Sequence, residues 1–322
     1  ALENFSSVAA ANTAKGEQWN ARVTPRDGTA FGSEVTSNTV TIGGVRSTVT
    51  VPTFNDSSVQ TFEDVSASTT YADTDGDAAF VIFTWSVNGG VVFVQNVTSV
   101  ASGTVASSVL DASNYVKGNS ISVAVQSFDG DVPSTVATSA TLTVANTAPS
   151  AADAVVAPSD AKTGDDLNVT FTFTDIDSDA ESGSLIRWFK DNVEQTLLEN
   201  LTRIDSGNTS RGEQWNVSVR PKDGNLLGVA VQSNVVTIGN TAPVAVNVTL
   251  DPNPASATDN LNALFVFTDA DSDASSGTLI QWFRNGGDVL ALENLTTISA
   301  SNTVKGQRWF FRVTPNDGTE FG

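Results

Sequence analysis

Short stretches of this chain alternate strictly between apolar and polar residues. From Leu167 to Phe173 (LNVTFTF) the residues Leu167, Val169, Phe171 and Phe173 share one face, and the polar residues between them take the other. Trp215 to Val219 (WNVSV) repeats the pattern. A period of two is that of a half-buried strand. Gly, Asp and Asn punctuate such stretches roughly every 8 to 12 residues, which predicts sandwiches of about seven strands each. No segment carries the 3.6-residue apolar period of an amphipathic helix, so the expected class is all-β.

The strands recur in a longer unit. KGEQWNARVTPRDG from Lys15, RGEQWNVSVRPKDG from Arg211 and KGQRWFFRVTPNDG from Lys305 are one motif, and KGNSISVAVQSFDG from Lys117 is a diverged copy. A second block precedes it: TDIDSDAESGSLIRWFKDN from Thr174, TDADSDASSGTLIQWFRNGG from Thr268 and, more loosely, ADTDGDAAFVIFTWSVNGG from Ala72. Its first Asp steps from Asp73 to Asp175 to Asp269, a spacing of domain size rather than of a solenoid repeat. NTAP strings at Asn146–Pro149 and Asn240–Pro243 follow strand endings and mark linkers held extended by proline. These boundaries predict complete domains over 44–146 and 147–240. Residues 1–43 read as the C-terminal part of a repeat, and 241–322 as a repeat lacking its last strand. Residues 1–32 match 291–322 at nineteen of 32 positions, so the sequence reads as a window from a longer tandem array.

Composition narrows the chemistry. The 322 residues include no Cys, His or Met, which removes disulfides, the commonest general base and the usual transition-metal ligands. Thirty-six acidic residues against sixteen basic ones give a net charge of −20, which argues against a nucleic-acid partner. No apolar run approaches the length of a signal peptide core or a membrane span, so no direct membrane insertion is expected within this window. Carboxylate pairs could in principle cleave glycosides, but these acids repeat in every domain, whereas an active site is normally unique to one. With phosphate cradles and basic patches also absent, the expectation is a protein that is not an enzyme.

A Trp in the third strand (Trp85, Trp188, Trp282), then a KG turn, an aromatic and a VxPxDG hairpin, resembles the Ig-like, PKD-like and cadherin-like repeats of large prokaryotic, notably archaeal, cell-surface proteins. The resemblance spans the whole chain and implies tandem seven-stranded Ig-like β-sandwiches in an extended array, at the cell surface or outside the cell. The 44–146 domain departs from the pattern. Ile121 stands where the second Trp belongs, and GGVR replaces NTAP before it. The Trp pairs, Trp188 with Trp215 and Trp282 with Trp309, are expected in the core.

Two constellations carry possible chemistry. Asp73, Asp75 and Asp77, then Asp175, Asp177 and Asp179, then Asp269, Asp271 and Asp273 form DxDxD clusters whose oxygen-rich spacing suits Ca²⁺. They are not EF-hands, because Thr84, Ile186 or Ile280 stands at the twelfth position in place of Glu. Sandwich topology puts the DG turns (Asp129, Asp223, Asp317) at the same pole, facing the preceding domain. The opposite pole is also acidic, with Asp56, Glu63 and Asp64 in one domain and Asp160, Asp165 and Asp166 in the next. Acid would thus meet acid at each joint, bridged by a cation. The alternative is ordinary solvated turns.

NxS/T sequons occur at Asn4, Asn55, Asn96, Asn168, Asn200, Asn208, Asn216, Asn247 and Asn294. Asn4, Asn96, Asn200 and Asn294 hold the same place in four repeats, and Asn168, Asn216 and Asn247 fall on the polar phase of strands. They are the expected sites of covalent N-glycans, the alternative being plain polar surface. The function expected from all this is a structural repeat of an extracellular filament, sheath or stalk, partnered by copies of itself. The alternatives are an adhesin binding a surface glycan or protein, or a spacer beside an enzyme. Residues Ser37 to Ile42 (SNTVTI) form the kind of strand that 241–322 lacks, so strand addition between molecules competes with continuous covalent linkage, the preferred reading.

Overall fold

The computed structural model describes residues 4–322, so the first three residues of the predicted 1–43 half repeat lie outside the described residues. Among the described residues the regular structure is strand, with single-turn 3₁₀ segments such as Ala112–Asn114, and there is no α-helix. The chain divides into two compact units, one ending at Thr147 and one running Ala148–Gly322.

In the first unit, residues 44–146 form a two-layer sandwich. One sheet orders Gly90–Val100, Ala79–Val87, Ser120–Phe128, Leu142–Ala145 and Val59–Gln60. The other orders Val105–Leu110, Val65–Ala72 and Thr48–Val49, with Thr53–Phe54 also on Val65–Ala72. The chain crosses between sheets after Phe54. The last strand then runs parallel to Val59–Gln60, pairing Val144 with Val59, while the other pairings are antiparallel. Alternation sends Val81, Phe83 and Trp85 inward beside Ile121, Val123 and Val125, against Val65, Ala67, Tyr71 and Leu110 of the facing sheet. Each buried Val, Ile, Leu or Phe among them contributes roughly 1.5–3 kcal/mol. The Phe54 ring lies 6.1 Å from the indole of Trp85, which explains how Ile121 stands in for a second Trp. Trp85 Nε1 donates to Ser108 Oγ at 2.8 Å, so the buried indole leaves no unsatisfied donor.

Residues 4–43 of the same unit form only two short ladders, Gln18–Trp19 with Val40–Thr41 and Arg22–Val23 with Val35–Thr36. Most of their apolar side chains, among them Val23, Phe31 and Val35, are exposed, while Trp19 and Ile42 are half-buried.

The second unit holds two further sandwiches. In residues 147–240, Ser150–Ala157, Leu167–Thr174 and Arg203–Ile204 make one sheet. The other orders Val193–Glu194, Leu185–Lys190, Gln214–Arg220 and Val231–Gln232, and Val236–Thr237 also pairs with Gln214–Arg220. Between the sheets Trp188 and Trp215 meet edge to face, ring centres 6.4 Å apart, both fully buried. In residues 241–322, Val244–Asp251, Leu261–Thr268 and Thr297–Ile298 face Gly287–Asp288, Leu279–Arg284 and Trp309–Thr314. Here the core partner of Trp282 is Phe311, at 5.6 Å. Trp309, expected in the core, is only half-buried, with the Arg284 guanidinium 5.8 Å from its ring centre. The cause is local: Val236–Thr237 covers Trp215 in the repeat before, and no segment of 241–322 takes that place.

The strand order and inward-facing Trp residues make this a chain of tandem Ig-like β-sandwiches.

Candidate cation centre

Each DxDxD cluster follows a long strand: Val65–Ala72, Leu167–Thr174 or Leu261–Thr268. The first Asp folds the loop by accepting amide bonds onto one oxygen. Asp269 Oδ1 takes the N–H of Asp271 at 2.7 Å and of Asp273 at 3.0 Å. Asp175 Oδ1 takes those of Asp177 and Asp179 at 2.8 and 3.2 Å, and Asp73 Oδ1 that of Asp77 at 3.1 Å. The tight loop drives its fourth residue to positive φ, filled by Gly76, Ser178 or Ser272. Three carboxylates are thereby folded onto one another.

The second oxygen of each first Asp carries the chemical signal. Oδ2 of Asp73, of Asp175 and of Asp269 is buried and accepts no hydrogen bond. A buried acceptor left unpaired costs about 1–3 kcal/mol, more for a charged group, and here the same atom is left so in three repeats. Carboxylate oxygens within 4.8 Å of one another come from Asp73, Asp75 and Asp77, from Asp175, Asp179 and Asp223, and from Asp269, Asp271 and Asp273. These acidic groups could hold a metal ion.

The DG turns do lie beside the clusters. Asp223 bridges to Ser182 and Asp317 to Ser276 in parallel register. Asp223 enters its oxygen group directly, in place of Asp177, which lies outside it. Asp129 also leaves a buried Oδ2 without a partner, though it and Asp317 are outside the close groups. Asp317 accepts the Asn240 side-chain amide at 2.8 Å and the N–H groups of Thr319 and Glu320 at 2.5 and 2.6 Å. The Asn240 bond, with that from Glu320, holds its carboxyl below the usual range.

In the first and last clusters the other two acids face the preceding repeat. Asp271 Oδ2 accepts the N–H of linker residue Thr241 at 2.6 Å, and Asp75 Oδ2 that of Val45 at 2.6 Å. Asp273 pairs with Arg211 and Asp77 with Lys15, the basic residues that open the KG-type motif one repeat earlier. Lys15 also pairs with Asp131. The hydrogen bonds of Asp131 and Asp77 raise its pKa. All three contacts, linker amide to second Asp, basic turn to third Asp and orphaned first Asp, recur 196 residues apart.

This corrects the expectation that acid meets acid. The carboxylates of the opposite pole are largely engaged within their own repeat. Asp166 pairs with Arg203 at 2.5 Å, Asp165 accepts the Lys162 amide at 2.8 Å, Asp64 that of Ala112 at 2.9 Å and Glu63 that of Gln60 at 2.9 Å. What that pole presents instead is cationic: Arg211 to Asp273, and Lys162 to Glu320 at 3.1 Å. At this joint Thr241 Oγ1 also donates to the Thr163 carbonyl at 2.7 Å. Four buried oxygens of the joint accept nothing: Asp269 Oδ2, Asp271 Oδ1, Asn240 Oδ1 and Thr163 Oγ1. An all-oxygen set, half of it carboxylate, is that of a hard cation.

Of the sequon residues, Asn4, Asn55, Asn96, Asn168, Asn200, Asn208, Asn247 and Asn294 are exposed and Asn216 is half-buried. Asn200 and Asn294 have a structural reason for their shared register. Both sit near φ 63°, where Oδ1 accepts the N–H of Ile186 or Ile280 at 3.1 Å and the backbone N–H returns to the same residue's carbonyl at 2.8 Å.

No family model matches the chain, and no curated protein matches it. Among solved structures it is similar to the PKD domain of an M14-like peptidase from Thermoplasmatales archaeon SCGC AB-540-F20. That match has 16% identity over 30% of this chain and 94% of that one, with a TM-score of 0.25. It is also similar to the FN1-FN3 domains of chicken CNTN1, at 10% identity over 84% of this chain and 93% of that one, with a TM-score of 0.26.

Proposed function

We propose that this protein is a structural repeat of an extracellular filament, sheath or surface stalk, in which each DxDxD loop binds Ca²⁺ and the Asp73 and Asp269 loops thereby secure the joint to the repeat before them. One observation carries the reading: the first Asp of every cluster keeps a buried, unpaired carboxylate oxygen, beside the joint residues in the Asp73 and Asp269 loops. Asp73, Asp75 and Asp77 would hold one ion, Asp175, Asp179 and Asp223 a second, and Asp269, Asp271 and Asp273 a third, with Asn240 and Thr163 offering further oxygens to the last. A filled site converts mutual repulsion into shared coordination. At the Asp73 and Asp269 loops it also ties the linker to the loop, since Asp75 and Asp271 already accept the amides of Val45 and Thr241. The ions are structural, and no catalytic step is assigned to them.

Copies of the same chain are the partners of such a protein, and exposed sequons such as Asn200 and Asn294 are its proposed N-glycan sites, with Nδ2 left for the sugar while Oδ1 braces the turn. Among the described residues no helix is long and apolar enough to cross a membrane. The test is microscopy of native surface material labelled with antibody to the 147–240 repeat, with and without chelator. Regularly spaced label on filaments that loosen in chelator supports the proposal; label confined to unassembled protein contradicts it.

A further inference from the structure

Between Asp77 and Asp111 the chain carries no charged residue, although its net charge is −20. That stretch supplies both edge strands on one flank of the 44–146 sandwich. Gly90–Val100 ends one sheet, pairing only with Ala79–Val87, and Val105–Leu110 ends the other. Gln95 links the two edges, its Oε1 accepting the Ser108 hydroxyl at 2.6 Å. An edge strand leaves alternate backbone N–H and C=O groups unpaired, and proteins blunt such edges with short strands, charges or proline. The two later repeats do so. Beside their Trp-bearing strands the edges are Val193–Glu194 and Gly287–Asp288, each two residues long and ending in an acid. Gly90–Val100 instead runs 11 residues with neither charge nor proline, and Val91, Val92, Phe93 and Val94 are exposed in succession.

The register of this strand is symmetric. Its ladder to Ala79–Val87 slips between Val91 and Phe93 and again between Val97 and Val100, which leaves Phe93–Val97 as the regular segment with Gln95 at its centre. The bulges twist the strand's ends away, so further pairing is confined to that segment. Phe93, Gln95 and Val97 share the inner face with their partners Trp85, Phe83 and Val81, and Val94 and Asn96 take the outer. An antiparallel strand of the same sequence, related by a two-fold axis through Gln95, sets Phe93 against Val97, Val94 against Asn96, and Gln95 against itself. Apolar then meets apolar on the inner row. The two carboxamides meet at the axis, each with Oε1 turned to Ser108 and Nε2 left to donate. Asn96, a sequon residue, leaves through the face of the sheet and not between the strands.

We infer that Gly90–Val100 is a self-association edge, along which two copies of this chain pair antiparallel about Gln95 and join their sheets into one. Two observations select a second copy as the occupant. Chains of net charge −20 repel over most of their surface, and a charge-free flank is where they can come together. The regular segment is also complementary to itself in both its apolar row and its central amide. Such a contact is isologous: each edge covers the other, and the assembly closes at two chains, because the far edge of the sheet is the two-residue Val59–Gln60. Resting on the filament reading above, this names a lateral contact between neighbouring chains, in addition to the joints between repeats.

The test is sedimentation of the full chain from about 1 to 100 µM, alongside Q95E, Q95K and V92K/V94K. Q95E keeps an oxygen for Ser108 while setting two like charges face to face on the axis. In V92K/V94K the lysines replace exposed residues and leave the core intact. The parent is expected to approach about twice the monomer mass at the upper concentration, and each variant to stay monomeric there with unchanged circular dichroism. An equimolar mixture of Q95E and Q95K should regain the parent's mass, since opposite charges then meet at the axis. A parent monomeric throughout overturns the inference, as does any variant that associates like the parent or a mixture no heavier than its components. None of these results bears on the filament reading, which the labelling of native material decides separately.

Discussion

Replacing Asp269 by Asn should raise stability without calcium and lose that advantage with it. The amide keeps an oxygen for the N–H groups of Asp271 and Asp273, so the loop retains its fold. What it loses is one negative charge among three whose oxygens lie within 4.8 Å. At an effective dielectric of about 20 a pair at 4.8 Å repels by about 3.5 kcal/mol before screening. Partial exposure, salt and the Arg211 guanidinium on Asp273 reduce this, leaving roughly 1–2 kcal/mol of relief in all. In chelator, then, D269N should melt higher than the parent, by about 4–8 °C per kcal/mol for a domain of this size. In 10 mM Ca²⁺ the parent gains roughly 1.4 kcal/mol at a Kd of about 10⁻³ M and 2.7 kcal/mol at about 10⁻⁴ M that the variant forgoes, so the variant's lead shrinks and, at the tighter end, the order reverses. Calorimetry of both chains in both buffers is the assay. A variant that shifts the melt equally in chelator and in calcium would refute the reasoning, since a merely structural Asp has no cause to respond to calcium.

Other expectations follow from particular side chains. W188A should cost about 3–5 kcal/mol in the 147–240 repeat, with W309A costing less in the next because its indole is already half open to water; domain-resolved denaturant melts would separate them. R211A should cost only about 0.2–1 kcal/mol, vanishing in molar salt, because both partners of the Asp273 pair are about a third exposed. The Asp317 carboxyl is held below its unfolded pKa by Asn240 and the Glu320 amide. Its contribution is therefore full above about pH 4 and is lost as pH falls through the depressed folded value. Melts of N240A against the parent from pH 7 to 2 should converge at the acid end. T202A removes the Asn200 sequon without touching the Oδ1 bond to Ile186. It should lower the intact mass by one glycan in the native host and leave the melt unchanged, whereas N200A should also destabilise.

Much of this architecture is legible in the sequence because its period-two alternation and its repeats are both local. LNVTFTF buries Leu167 and Val169 and half-buries Phe171 and Phe173, and the third-strand Trp residues go to the cores. The folding of the Asp loops together with the DG turns also follows from strand order. Less visible was what answers the clusters. Lys15 and Arg211 open a motif that reads as an ordinary turn, and only packing shows that the turn's basic residue reaches a carboxylate 62 positions on. The roles of Val45 and Thr241 were hidden for a similar reason, since they act through backbone N–H groups that any residue but proline supplies. Trp309 misled because alternation gives the phase of a strand and not the presence of its neighbour.

The most direct measurement is equilibrium dialysis of ⁴⁵Ca²⁺ against the full chain and against the triple variant D73N/D175N/D269N. The account predicts about three ions per chain at millimolar calcium, in line with the three oxygen groups, and almost none for the variant. Binding that is absent at 10 mM, or undiminished in the variant, would contradict it.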